Sequence, residues 1–371
     1  MNEILIFTLT FLAFWLVVYM LGKSLPLQKY GLDIKPFLIK WESKRFRGLL
    51  YRLSSRWKRI WKIFSWASVF IGAGLMVFTL TFLSLNIIRA AVLRETLSPV
   101  RIIVPGLTLR LYWLPYFIVA VIVTVFIHEA AHGVIALNEG ISIRSAGALL
   151  LGIFFGGFVE TDEKELNAAP PKSKMKIFSA GSASNMLAGL IVLLVLSALF
   201  VQSPSGLIVL ETLEGGPLQK AGIRPWDVIY ALNDHEIHSL QDLVSFMSSV
   251  KPGEDIIVRT SRGDFIVKAA PSPDNEHRAI IGLISSAPYY PSKLGLSYLV
   301  DTYLNLTLNW LSIVLLSVAA FNMLPIPYLD GDKMLQCLIE VAPRKGPALR
   351  KTLNVVSLFL LLANIVMSST Y

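Results

Sequence analysis

Six stretches of the chain are apolar over twenty or more consecutive positions: 3–22, 64–88, 112–137, 175–201, 296–323 and 347–368. A helix needs about 20 apolar residues to cross a hydrocarbon core, so each is long enough to span. The first begins almost at once, without a basic leader or a small-residue cleavage pattern before Lys23. It reads as a retained anchor rather than a signal peptide. Between 202 and 295 the pattern changes to short β-type runs at Gly206–Leu210, Val228–Leu232, Asp255–Thr260 and Asp264–Ala269. Turn signals such as Lys251-Pro252-Gly253 separate them. A helix over 239–249 places Leu240, Leu243, Val244 and Met247 on one face.

The stretch 138–174 fits neither class. Its apolar residues are interrupted by Gly152, Gly156 and Gly157, and it turns acidic at Glu160–Glu165. A re-entrant hairpin is one reading, since such backbone survives at membrane depth only where protein or water satisfies its polar groups. A peripheral loop packed on the bundle is the other. The expected architecture is an α-helical polytopic membrane protein of about six spans, with a re-entrant β-hairpin and an inserted α+β domain. Its parts are 1–111 (two spans joined by a basic loop), 112–201 (the third and fourth spans and the hairpin), 202–295 (the insert) and 296–371 (the last two spans).

Composition supports the membrane reading: 54% of residues are hydrophobic and only 16% charged, against about 25% charged in soluble chains. The net charge of +9 would suit nucleic acid, but its distribution excludes that partner. Most of the excess lies in 23–62, between the first two spans. A basic cluster in a short loop marks the cytoplasmic side. Alternation then puts the amino terminus and 202–295 outside, with Arg344, Lys345, Arg350 and Lys351 inside. Within the loop, Phe46, Leu49, Leu50, Leu53, Trp57, Ile60, Trp61 and Phe64 recur at helical spacing. That pattern predicts an amphipathic helix on an anionic lipid surface. Cys337 is the only cysteine; no internal disulfide can form, and a packed apolar role is expected.

The third span carries His128-Glu129-Ala130-Ala131-His132, an H-E-x-x-H. Residues four apart stand on one helix face, so both imidazoles can reach one metal ion, with Glu129 beside it rather than on it. A bound zinc ion makes hydroxide available near neutral pH, and the glutamate is placed to take the proton. The span is otherwise almost free of ionisable groups, which are costly in lipid unless paired or ligated. Catalytic zinc needs a third protein ligand. The candidate is Asp330, in Asn322-Met323-Leu324-Pro325-Ile326-Pro327-Tyr328-Leu329-Asp330-Gly331, where two prolines stop the fifth span. A helix N-cap is the alternative role for Asp330. Its neighbour Asp332 reads as a first-turn helix charge.

H-E-x-x-H in a span, followed far downstream by N-x-x-P-x-P-x-L-D-G, resembles the site-2 protease family of intramembrane zinc metalloproteases. Gly156-Gly157-Phe158-Val159 is similar to that family's re-entrant hairpin. Ala180-Gly181-Ser182-Ala183-Ser184-Asn185 resembles its small-residue motif, with Ser182 in place of proline. The segment 202–295 resembles a PDZ domain of the bacterial-protease type through Gly206-Leu207-Ile208-Val209, Gly216–Ile223 and Asp227-Val228-Ile229. It departs from that pattern at Trp226 and Asp234, where glycine is usual. The resemblance implies one zinc per chain on His128, His132 and Asp330, with Glu129 as general base. It implies that Asn322 steadies substrate and that Gly156, Gly157 and Phe158 belong to a hairpin holding an unwound substrate strand. The substrates implied are single-span membrane proteins already trimmed outside. A non-catalytic PDZ adaptor anchored in the membrane is the alternative, and a zinc protease acting in a soluble compartment is a third reading. Glu129 argues against the adaptor; Asp330 in its proline-rich setting argues against the third.

Overall fold

The computed structural model describes residues 3–90, 98–104, 108–152, 154–340 and 346–370. Ile153 of the expected hairpin, and Arg344 and Lys345 beside the last span, lie outside them. The chain divides into two compact units, residues 1–190 with 311–371, and residues 191–310.

The first unit begins with α1 (Glu3–Ser24), strands β1 (Leu32–Lys35) and β2 (Leu38–Glu42), α2 (Lys44–Arg56) and α3 (Lys58–Ile88). It continues through α4 (Leu114–Asn138), β3 (Ile143–Leu151), β4 (Phe154–Thr161), α5 (Glu163–Ala168) and α6 (Pro171–Leu199). Among the described residues five helices are long and apolar enough to cross a membrane: Lys58–Ile88, Leu111–Asn138, Pro171–Leu199, Tyr298–Asn322 and Gly346–Ser368. The chain is thus a polytopic helical membrane protein with β regions. The described apolar part of α1, Leu9–Ser24, is shorter.

The basic segment departs from expectation. Instead of one surface helix it forms two strands, a docked helix and the start of α3. β1 to β4 make one antiparallel sheet in chain order. Leu50 of α2 is fully buried, packed with Val134, Ile143 and Ala146. α4 and β3 cover Leu50, with Phe46 and Leu53 partly buried beside it, while Leu49, Trp57 and Ile60 stay exposed. Trp57 separates α2 from α3. Lys44, Arg45, Arg52 and Arg56 remain exposed.

Deeper in the unit, α3 packs Leu75 and Met76 against Ala319 of α9 (Tyr298–Asn322), Met323 just after it, and Met334 of α10 (Asp330–Glu340). Asn364 of α11 (Gly346–Thr370) accepts a 2.7 Å hydrogen bond from Asn86 and donates to the Leu83 carbonyl. That is the interhelical role expected of a lone amide in lipid. Asn309 bonds Asn305, one turn back on its own helix.

The second unit holds β5 (Leu207–Thr212), α7 (Pro217–Lys220), β6 (Val228–Leu232), β7 (His235–Glu236), α8 (Leu240–Met247), β8 (Asp255–Thr260) and β9 (Gly263–Lys268). A small pair, β10 (Ala270–Ser272) and β11 (Asn275–Ile280), precedes β12 (Leu283–Pro288). The main sheet runs β12-β5-β6-β8-β9, with β7 on β6. Leu207, Ile229, Leu232, Ile256 and Val258 form its core with Leu243 and Met247 of α8. Ser239 and Asp242 close a capping box at the start of α8. Trp226 adopts a left-handed φ of 77°, where glycine is at ease and a bulky residue is strained. Its ring lies 5.5 Å from that of Tyr303. At the next turn the left-handed residue is Asn233, at φ 50°, rather than Asp234; asparagine tolerates that conformation.

Candidate metal centre

α4 presents His128 and His132 one turn apart, and α10 begins with Asp330. His128 and Asp330 are buried and His132 nearly so. His128 Nε2 lies 3.1 Å from Asp330 Oδ2, His132 Nε2 lies 3.1 Å from the same oxygen, and the two nitrogens are 3.0 Å apart. Among the described residues this is the cluster of His, Cys, Asp or Glu side chains able to share one metal ion.

The surroundings decide what the three atoms are for. His132 Nδ1 sits 2.7 Å from the Ile177 carbonyl, which can only accept, so Nδ1 carries a proton and, in the neutral imidazole, Nε2 keeps its lone pair. His128 Nδ1 faces the Asn185 amide at 3.3 Å, and Asn185 Oδ1 is buried with no partner. Turning that amide over gives Oδ1 the Nδ1–H of His128 and frees the second Nε2 lone pair. Two lone pairs and a carboxylate oxygen then face one another at hydrogen-bond distance with no proton among them. A shared cation satisfies all three. Zinc bonds of about 2.0 Å in a tetrahedron place ligand atoms about 3.3 Å apart, close to this triangle, and the N₂O donor set suits zinc.

Two glycines make the convergence possible. A Cβ on Gly181 of α6 would overlap both imidazoles, so only glycine lets that helix pass. A Cβ on Gly331 would strike the Met323 and Leu324 backbone, so the Asp330-Gly331 pair brings α10 tightly under the end of α9. The connecting turn includes Tyr328, left-handed at φ 76° and 93% exposed. Asp330 is the first residue of α10 rather than its cap. Asp332 does more than favour a helix start. Arg350 of α11 donates to both its oxygens at 2.8 and 2.7 Å, and Asn354 adds a third bond at 3.0 Å. These hold its carboxyl below the usual range. Cys337 is buried, and burial pushes its thiol up to about 11, as suits a packing residue.

The remaining sequence candidates separate. Gly157 of β4 lies against Glu129: a Cβ there would be 3.0 Å from Glu129 Cγ. Phe158 points to the opposite face of the sheet, under the Lys40 ammonium at 4.4 Å, as alternation along a strand requires. Gly156 shares that outer face but also borders the cavity beside Glu129. Asn322 is half-buried at the last residue of α9. The sequence singled out Gly181 and Asn185 only as a small-residue motif. Their four-residue spacing, which matches that of the two histidines, was the available signal.

A family model described as peptidase family M50 matches residues 116–364. An uncharacterized protein of Methanocaldococcus jannaschii is 27% identical over 351 residues, covering 93% of this chain and 89% of that protein. A membrane-bound transcription factor site-2 protease homolog of Arabidopsis thaliana is 27% identical over 202 residues, 52% of this chain and 39% of that protein. A Clostridium acetobutylicum protein provisionally named a zinc metalloprotease is 26% identical over 194 residues, 51% of this chain and 57% of that protein. The chain spans less than two thirds of the length of these last two relatives. Because the family match runs from the first turn of α4 into the last span and takes in all three ligands, the chain belongs to peptidase family M50, the site-2 proteases, and is a membrane-embedded zinc metalloprotease.

Proposed function

We propose that this enzyme cuts membrane proteins at a peptide bond in or beside a transmembrane segment, after an earlier cut has trimmed the substrate outside the membrane. The observation that carries the reading is the triangle of His128, His132 and Asp330 on helices apolar enough to span. Zinc bound there supplies a Lewis acid and lowers the pKa of the attacking water toward neutrality. Glu129 accepts the proton from that water and passes it to the leaving amine. Asn322 donates to the carbonyl oxygen or steadies the substrate backbone.

A helical substrate hides its peptide bonds, so it must unwind first. β3 and β4 serve as the re-entrant hairpin: β2 covers the outer side of β3, and β4 is the sheet edge among the described residues. A substrate strand added to β4 regains the hydrogen bonds that unwinding costs. The 202–295 segment acts as a PDZ-like gate. A groove of about 540 Å³ between α8 and β12, the edge strand of its sheet, supports that role. The basic residues of 23–62 face anionic lipids on the cytoplasmic side. α1 is a further span; the amino terminus and the PDZ-like segment are extracytoplasmic, and the zinc lies toward the cytoplasm.

Glu129→Gln is expected to lower cleavage of a single-span reporter by about 10²–10⁴ while zinc stays at one per chain. Asp330→Ala is expected to lose the metal as well. Cleavage by Glu129→Gln at the wild-type rate would remove the base assignment, and full zinc in Asp330→Ala would remove the third ligand.

A further inference from the structure

The sheet beside Glu129 contains a hollow that the chemistry above does not use. Trp41 of β2 pairs with Ala148 of β3, and Ala148 pairs with Gly157 of β4. Residues in one cross-strand row point to one face, and Gly157 fixes that face as the one toward Val125 and Glu129 of α4. The row therefore runs from large to small: an indole, a methyl and a hydrogen. Val125 and Glu129 close over Gly157, and beside Ala148 the row borders a cavity of about 220 Å³ walled by Trp41, Phe46, Val125, Phe126, Phe155 and Glu129. Phe46 and Phe126 close one side, with ring centroids 5.0 Å apart. Sites for drug-sized ligands run to about 300–1,000 Å³, so this one holds a single side chain. Its walls are apolar apart from Ser43, Glu129 and the glycine backbone.

We propose that this cavity is a specificity pocket for one large apolar substrate side chain, of leucine or phenylalanine size, beside the scissile bond. The proposal rests on the strand-addition reading given above. A strand laid on the outer edge of β4 extends the row Trp41–Ala148–Gly157 by one residue. The residue opposite Gly157 then directs its side chain to the face of the cavity. The next residue points the opposite way, toward the Lys40 and Phe158 face. Selection thus falls on one position, next to the proposed base. Trp41 and Phe46 precede residue 116, where the family match begins, so the preceding segment builds part of the wall. A lipid acyl chain is the competing occupant, but it has no hydrogen bond to offer the Glu129 and glycine border. A substrate strand brings its own amides.

The test uses the full-length zinc enzyme in proteoliposomes and single-span reporter peptides. Each residue flanking the mapped cut is changed in turn to Ala, Leu or Phe. Wild type is expected to cut the Leu or Phe reporter at least about tenfold faster than Ala at one position, within the range that apolar pockets discriminate. Ala148→Leu fills the hollow from β3 and should reverse that order, favouring Ala. Trp41→Ala widens it and should bring a Trp reporter to the rate of Phe. Zinc content should be unchanged in both. If both variants cut with the wild-type order of preference, the pocket is not a substrate subsite and the proposal is overturned. Should Ala148→Leu cut nothing, Trp41→Ala decides by the same criterion. A wild-type enzyme that holds zinc yet cuts no reporter contradicts the protease reading, and the pocket proposal falls with it; a wild type that cuts all reporters equally contradicts only the pocket.

Discussion

The two units bury different things. In residues 191–310 the core is a continuous apolar cluster of Ile229, Leu232, Ile256 and Val258 with α8. In the other unit the protein interior closes around His128, Asp330, Asn185 and the Ile177 carbonyl. An apolar cluster is held by exclusion from water and tolerates repacking. A buried polar cluster is stable only if every lone pair has a partner. This difference shows where the chemistry is. The apolar cluster needs no partner, whereas the cluster of His128, His132 and Asp330 is completed by a cation.

Three experiments sharpen or break that contrast. Ile256→Ala should have the largest effect on its own unit, about 2–5 kcal/mol of cavity and transfer loss. Hydrogen exchange should show it across residues 207–288, with zinc affinity unchanged; loss of zinc would mean that the units are not separable. Asn185→Ala removes the partner of His128 Nδ1 and should weaken zinc binding by about 10–100-fold, as loss of such supporting partners does. Competition with a chelator measures this, and an unchanged affinity would show that the amide does not orient the imidazole. The smallest effect concerns Asp242. The Ser239 side chain, aided by the His238 and Ser239 backbone, holds its carboxyl below the usual value of 3.8. A depressed carboxyl stabilises the fold above its unfolded pKa, and the contribution disappears as pH falls through the folded value. Protection of α8 should therefore decline only below the ordinary carboxylate range, and Asp242→Asn should flatten that dependence.

Much of this was readable along the chain because it depends on local periodicity. All six apolar stretches are helices, and Val228–Leu232 and Asp255–Thr260 are strands with the expected bounds. β12 escaped notice because Leu283-Ile284-Ser285-Ser286-Ala287-Pro288 has weak strand character and is held by pairing with β5. The strands β1 and β2 escaped because a helical period in the following residues masked them. The partner of β2, β3, lies about a hundred residues downstream.

The sequence by itself determined the spans, the two histidines four apart and the glutamate between them, since helix geometry relates neighbours of fixed spacing. Only the tertiary structure brought Asp330 to those histidines across some two hundred residues, assigned Asn185 and Ile177 to their rings, and turned Phe158 away from Glu129. Local spacing fixes which residues share a face. What that face meets depends on packing between distant segments, which no local pattern encodes.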